Sequence, residues 1–405
     1  MNDARAARRE VGILVLAVVL GMSPWFSATV VASAMVREWG VSSASGLWLT
    51  LAVQAGFVAG SLVSAAFLLS DRWRPRRLAA WSAVVAAAGT ALLAIPQMQF
   101  ELALPLRLMV GASLAGVYPP GIKIAAGWTT RRRGLAIGAL VAGTTMGSAV
   151  PHLLKLAVAP DAWRALQVLA AICAMLGAAL FAFRVREGPY QAASAPFDPK
   201  ALRAVLSNRG VVLATGGYLG HMWELYAMWS TIGLFWTSLV QQRGLSSLVG
   251  SLFSFATVGA GAVGCVWAGV AADRLGRSRV AILAMVVSGT CALIIGPAMR
   301  APTIVVLVIA LVWGVSIIAD SAQFSAAVTE FSSREYVGTA VTVQTALGFL
   351  LTMVTIRLVP GWSEAWGWQY AYMPLAIGPA LGIACMARLV SVERARTRDV
   401  ATRNS

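Results

Sequence analysis

Charge is what this chain has least of. Only 12% of its 405 residues are charged and 59% are hydrophobic, whereas an ordinary soluble protein is about 25% charged. A water-soluble fold of this length could not cover itself with so little polar surface, which excludes a soluble enzyme or scaffold. Acidic groups are rarer still, 16 against 32 basic ones, and histidine occurs twice, at His152 and His221. No grouping of His, Cys, Asp and Glu has the spacing of a metal site, so no metal and no other cofactor is expected. A nucleotide-binding loop and a nucleophile motif are also missing, leaving a receptor or a membrane-embedded enzyme without support. The four cysteines, Cys173, Cys265, Cys291 and Cys385, all fall inside apolar stretches, where a thiol packs as a small apolar group. No disulfide is inferred.

What the chain has instead is a series of hydrophobic blocks about 20 residues long, each able to cross a hydrocarbon core of about 30 Å as a helix. Spans are predicted over 11–33, 46–69, 78–97, 102–125, 135–151 and 163–184, then over 211–236, 247–271, 280–299, 303–327, 337–359 and 368–390. A basic start, an apolar run and Ala32-Ser33-Ala34 resemble a secretory signal with its cleavage site. The run is long and many spans follow it, so it is read as an uncleaved first helix. The segment 185–210, with Pro189, Pro196 and Pro199, is too polar for lipid and divides the chain into 1–184 and 211–405. Asp198 before Pro199 is a good helix start, so residues 200–207 form either a short helix along the membrane face or a plain linker.

The net charge of +16 does not point to nucleic acid, because such a binder gathers its basic residues on one water-facing patch. Here they lie in the loops, and they lie unevenly. With the N-terminus inside, 24 Lys and Arg fall on the cytoplasmic side, including Arg131 to Arg133 and Arg334, against 6 outside. Positive loops are retained in the cytoplasm. Both termini are therefore expected there, in an even-numbered, multi-pass arrangement in the inner, cytoplasmic membrane.

Two loops repeat one another. Asp71-Arg72-Trp73-Arg74-Pro75-Arg76-Arg77 follows the second span, and Gly269-Val270-Ala271-Ala272-Asp273-Arg274-Leu275-Gly276-Arg277-Ser278-Arg279 follows the eighth. The separation of the two aspartates is half the chain, which marks a parallel internal repeat. At these residues the chain resembles the major facilitator superfamily (MFS), whose loop signature is Gly-x-x-x-Asp-Arg-x-Gly-x-Arg/Lys-Arg/Lys. The second copy matches it closely; the first departs, with Phe67 and Arg74 where glycines are expected. Arg107 followed by Gly111 matches the family's Arg-x-x-x-Gly pattern in the fourth span. The resemblance implies an all-α membrane protein of twelve transmembrane helices in two pseudo-symmetric six-helix bundles, working as a monomer. Asp71, Arg72, Gly269, Asp273, Arg274, Gly276 and Arg277 then form a gating motif that closes the cytoplasmic side in one state through charge-assisted contacts. Gly134, Gly138, Gly143 and Gly147 are spaced for close helix packing, but the fifth span lacks the Gly-Pro pair expected of a drug/proton antiporter.

An ionisable side chain at the centre of a membrane helix costs at least about 2.5 to 3.5 kcal/mol, so each needs a partner, a watery cavity or a purpose. Away from the span ends there are five: Arg107 and Lys123 in span four, His221 and Glu224 in span seven, and Asp320 in span ten. In the family resembled, spans one, four, seven and ten surround the central cavity. His221 and Glu224 share a helix face near the midplane, either as a site that exchanges a proton or as a structural hydrogen-bonded pair. Asp320, with Gln323 nearby, is a second protonation site, part of a gate, or a structural partner of Lys123. Arg107 either neutralises an anionic solute or a carboxylate such as Glu224, or is structural. Ser23-Pro24-Trp25-Phe26 supplies a kink and two aromatics that either line the cavity or pack. Glu330, Arg334 and Glu335 read as a solvated loop.

The segments Gly220 to Trp229 and Asp320 to Phe324 are similar to those of bacterial members grouped near nitrate/nitrite porters. That group holds its anion with an arginine in each of spans two and eight, and residues 46–69 and 247–271 contain none; nitrate is disfavoured. The leading expectation is a proton-coupled carrier of a small organic solute, with the solute, protons and lipid as its partners. The alternative is a proton antiporter exporting lipophilic or cationic compounds.

Overall fold

The computed structural model describes residues 2–129, 133–159, 161–191, 197–333 and 335–403. Arg131, Arg132, Pro196 and Arg334, which bear on orientation and on the linker, lie outside the described residues, as does the side chain of Arg133.

Every regular element among the described residues is helical. In the first half these are α1 (Asn2–Gly21), α2 (Ala32–Trp39), α3 (Ser43–Ala66), α4 (Leu69–Arg72), α5 (Pro75–Leu92), α6 (Phe100–Leu114), α7 (Tyr118–Ala126), α8 (Arg133–Leu154) and α9 (Trp163–Phe183). A short α10 (Leu202–Ser207) leads into α11 (Arg209–Gln242), α12 (Ser247–Leu275), α13 (Arg277–Ile294), α14 (Thr303–Ala319) and α15 (Ser321–Phe331). Then come α16 (Val337–Trp366), α17 (Trp368–Ala371) and α18 (Ile377–Arg403). Nine helical stretches among the described residues are long and apolar enough to cross a membrane. The other three expected spans are helical as well: α1 with α2, α5, and the 34-residue α11. Several helices overrun their hydrophobic blocks, α16 reaching Trp366 and α18 reaching Arg403.

The packing order repeats with the sequence. In the first half α1 packs on α8 and α9, α3 on α6, and α5 on α6 and α9. In the second half α11 packs on α16 and α18, α12 on α14, and α13 on α14 and α18. Each pairing of the first set has its counterpart in the second. The halves meet where α8 lies on α12 and α3 on α16.

Small residues make these contacts close. In α8, Gly134 and Gly143 are nine residues apart, which at 100° per residue places them on opposite faces. Gly134 and Gly138 accordingly face α12, where an added Cβ at Gly138 would stand 2.8 Å from the Cys265 carbonyl oxygen. Gly143 and Gly147 face α1, against the carbonyls of Val15 and Val19. Gly111 of the Arg-x-x-x-Gly pattern lets α6 lie against Val53 of α3, whose carbonyl oxygen occupies the space an added Cβ would need.

The linker is divided between the halves. Trp128 Nε1 donates to the Arg186 carbonyl (2.9 Å) and the Tyr190 amide to the Gly127 carbonyl (2.9 Å), fixing its start to the first half. Further on, Asp198 caps the turn at Pro199–Ala201 by accepting from the Lys200 amide, and its own amide donates to Thr339 Oγ1 at 2.9 Å. A short helix follows, as the Asp-Pro start suggests. Asn208 then caps α11, and its Nδ2 donates to the Phe331 carbonyl at the end of α15 (2.8 Å).

Candidate functional site

Three of the chain's crossings are interrupted. Pro24 has no amide hydrogen and its ring clashes with the carbonyl four residues back, so α1 ends at Gly21 and the chain runs through turns to Thr29. Pro119 and Pro120 act in the same way after α6, and residues 115–117 separate α6 from α7. The third break is the turn at Asp320 between α14 and α15.

A cavity of about 50 Å³ lies between these breaks. Met22 and Trp25 reach it from the first break, Phe57 from α3 and Tyr118 from the start of α7. Val141, Thr144 and Thr145 of α8 form another wall. Across from them, α11 contributes Tyr218, Met222, Leu225, Tyr226 and Trp229, and Ile318, Ser321 and Phe349 complete the lining. Rings of the two halves meet here, Phe57 with Phe349 at 4.4 Å between centroids and Trp25 with Tyr226 at 5.7 Å. Such a volume holds a few waters, well below the roughly 300 Å³ at which small-molecule pockets begin. The site is contracted.

Of the six residues expected around the cavity, Trp25 lines it; Arg107, His221, Glu224, Asp320 and Gln323 do not. Arg107 is completely buried and belongs to the first break. Its Nη1 donates to the Pro24 carbonyl (2.9 Å) and contacts Ser27 Oγ (3.5 Å), its Nη2 donates to the Trp25 carbonyl (2.6 Å), and its Nε donates to the Leu49 carbonyl of α3 (3.1 Å). One guanidinium, a planar fork suited to several acceptors at once, thus binds two carbonyls of the break and one of α3, with the Pro24 carbonyl also accepting from the Ser27 amide (3.3 Å) and Ser27 Oγ (3.0 Å). Ser23 Oγ helps by donating to the Leu20 and Ala170 carbonyls. In this structure Arg107 binds backbone carbonyls, and Glu224 is not among its partners.

His221 and Glu224 sit one turn apart but face different neighbours, which corrects the expectation that they pair. His221 Nδ1 lies 2.8 Å from Asp320 Oδ1, both side chains being almost wholly buried. Glu224 turns toward the interior of the second half, where Trp313 Nε1 donates to its Oε1 (2.6 Å) and Ser288 Oγ to its Oε2 (2.9 Å). The His221–Asp320 pair lies directly behind the cavity: Tyr218, whose ring centroid is 6.0 Å from that of His221, and Ser321, next to Asp320, both line it. Gln323 is buried in α15.

Lys123 does not pair with Asp320. Its Nζ reaches Asp71 Oδ1 at 2.5 Å and the Ser70 carbonyl at 3.1 Å, tying the first motif copy to α7 in the same half. In the second copy Asp273 stands over Gly134 in the first turn of α8, its carboxylate oxygens 3.6 and 4.0 Å from where a Cβ would be. A carboxylate at a helix N-terminus meets the positive end of the helix dipole. Gly276 has φ of +85° and alone joins α12 to α13, a backbone conformation that disfavours a side chain. At the corresponding place in the first copy, Arg74 is extended, with φ of −60°. Arg277 Nε pairs with Glu330 Oε1 (2.8 Å) at the end of α15, so Glu330 is a helix residue with a partner rather than part of a solvated loop. Arg72 and Arg274 are exposed.

The Glu38 contact with α9 has no counterpart among the sequence-based expectations. Arg164 reaches both Glu38 oxygens, at 2.5 and 2.7 Å, and Trp163 Nε1 donates to Oε2 at 2.7 Å. The Arg164 guanidinium holds the Glu38 carboxyl below its usual range. A charge pair spread over 126 residues of sequence leaves no local signal.

A family model described as Major Facilitator Superfamily matches residues 13–246. The MFS-type transporter pytF of Aspergillus terreus (strain NIH 2624 / FGSC A1156) is 30% identical over 201 residues, which cover 47% of this chain. That stretch spans 65% of the relative's length.

Proposed function

The chain belongs to the major facilitator superfamily, a family of membrane transporters, and from that membership we propose that it is a proton-coupled secondary transporter of a small organic solute. The two halves rock about the central cavity, which faces one side of the cytoplasmic membrane and then the other. The chain crosses twelve times with both termini in the cytoplasm and works as a monomer. The observation that carries the coupling assignment is the buried His221–Asp320 pair at 2.8 Å, one side chain away from the cavity.

An imidazole and a carboxyl in contact are placed to pass a proton between them. Tyr218 and Ser321 connect that pair to the cavity, so a proton leaving Asp320 or His221 alters what the solute meets. Glu224 is the second coupling group, held by two neutral donors from α13 and α14 that leave it able to take up or release a proton. Asp71 and Asp273 gate the cytoplasmic face, the first by holding α7 and the second by capping α8.

The test is transport by purified protein in proteoliposomes across a panel of neutral, cationic and anionic aromatic solutes, with and without an imposed pH gradient. Asp320→Asn is expected to lose at least about tenfold of gradient-driven accumulation while solute counterflow continues. Full accumulation by that variant overturns the coupling assignment, and transport indifferent to the gradient overturns proton coupling altogether. The gradient polarity that drives accumulation distinguishes uptake from export by antiport.

A further inference from the structure

We infer that the central cavity takes an uncharged, planar aromatic solute bearing hydrogen-bond acceptors, held between rings of the two halves with the indole N–H groups of Trp25 and Trp229 as its donors. This rests on the transporter reading above and deepens it by naming the solute's chemical class.

The first ground is the lining. Among the described residues, the 15 that line the cavity include no Asp, Glu, Lys, Arg or His. A charged solute entering there exchanges water for a surface with no counter-charge, at a cost of several kcal/mol per ion. Asp320, the acid nearest the lining in sequence, already holds His221. Arg107 is occupied by backbone carbonyls.

The second ground is the pair of indoles. Trp25 and Trp229 both line the cavity and are 2% and 3% exposed, yet neither Nε1 has a hydrogen-bond acceptor among the described residues. Trp236 by contrast donates to Thr257 and Trp313 to Glu224, while Trp39 Nε1, also without an acceptor among the described residues, lies away from the cavity. A buried donor left unpaired is costly, so Trp25 and Trp229 are poised for an acceptor that arrives with the solute. Indole N–H edges carry partial positive charge, which favours a carbonyl or ether oxygen and opposes the cation that an aromatic cage alone would attract.

The third ground is how the cavity is closed. Trp25 and Phe57 of the first half touch Tyr226 and Phe349 of the second, with centroids 4.4 to 5.9 Å apart. When the halves separate, those ring contacts are lost across the seam. A planar aromatic solute replaces them on both sides, so a loaded cavity can close around it as the empty one closes on itself.

Equilibrium binding to the full chain in lipid nanodiscs tests this with four probes of similar size: 7-methoxycoumarin (neutral, with acceptors), naphthalene (neutral, without), coumarin-3-carboxylate (anionic) and N-methylquinolinium (cationic). 7-Methoxycoumarin is expected to bind at least about tenfold more tightly than the other three, corresponding to one or two hydrogen bonds gained without desolvating a charge. Trp25→Phe and Trp229→Phe keep a ring and delete the N–H. Each is expected to weaken 7-methoxycoumarin about five- to tenfold and to leave naphthalene within about twofold, which also reports that the cavity is intact. A charged probe that binds as tightly, no binding of 7-methoxycoumarin, or equal losses for both neutral probes overturns the inference. Binding needs no gradient, so a protein that binds the coumarin but never transports it refutes the transporter reading alone. Gradient-driven transport of a charged probe refutes the solute class alone.

Discussion

The two halves share a packing order but bury different chemistry midway along their helices. The first half buries Arg107, whose charge is fixed and whose donors are spent on the carbonyls of Pro24, Trp25 and Leu49. The second buries His221, Asp320 and Glu224, side chains of ionisable type. Midway along the helices, backbone repair is therefore concentrated in one half and ionisable acid and imidazole groups in the other, although the first half also buries Glu10 and His152 nearer its span ends. The loop motifs differ in the same sense. Asp71 is tied within its own half by Lys123, whereas Asp273 reaches across to α8. Phe67, at the place of the first motif glycine, is 55% exposed, while Gly269 is buried against Gly134.

The largest expected effect follows from removing the guanidinium. Arg107→Met removes one donor from each of three buried carbonyls, of which Pro24's keeps the Ser27 amide and hydroxyl and Leu49's lies within α3, so thermal unfolding in detergent should show a loss of about 1 to 3 kcal/mol. Arg107→Lys should recover only part of it, since an ammonium cannot fork across three acceptors. In Glu224→Gln the amide keeps an acceptor for Trp313. Stability should change by less than about 1 kcal/mol, while gradient-driven accumulation falls about tenfold. Equal destabilisation by the Arg107 and Glu224 variants breaks the contrast between the halves.

Next comes the seam. Gly138→Val places a side chain on the Cys265 carbonyl, costing about 1 to 3 kcal/mol in the state where α8 and α12 touch. Counterflow should fall while the protein remains folded by size exclusion. Phe67→Ala, at the exposed end of α3, should leave counterflow near wild type; if both variants lose it alike, the two seams close in the same way.

The smallest effect concerns Glu38. Its folded-state carboxyl is held below the usual range, so its contribution is present above the unfolded value and disappears as pH falls through the folded one. Glu38→Gln should be slightly less stable than wild type at neutral pH and should match it in acid. A gap that persists in acid shows that packing of Trp163, rather than charge, holds α2 to α9.

Much of the frame is legible in the amino-acid order itself. Hydrophobic block length marks the helices, Pro24 marks the first break, Asp198-Pro199 marks the linker turn, and the repeated loop marks the half-chain register. The partners are not legible. Spacing of three places His221 and Glu224 on one face, but residues three apart still diverge by about 60° around the axis, enough for one to meet α15 and the other α13 and α14. Lys123 and Asp320 look matched because both are ionisable residues away from the span ends, yet Lys123 meets Asp71 and Asp320 meets His221. The break at 115–117 is masked although Pro119-Pro120 signals it, because the hydrophobic block runs through without a pause. The cavity is hidden for a different reason. Its walls are rings and hydroxyls, residue types that membrane helices also use for packing, so nothing in their pattern separates lining from core.

The guanidinium that repairs the first break also sets an order of manufacture. Pro24 and Arg107 are 83 residues apart, several seconds of synthesis at about 5 to 20 residues per second. During that interval the Trp25 carbonyl lacks the guanidinium donor it has in the folded chain. The segment around Pro24 thus settles only after Arg107 has been made, and a chain truncated before Arg107 should leave that segment more open to exchange and proteolysis even though every residue of it is present.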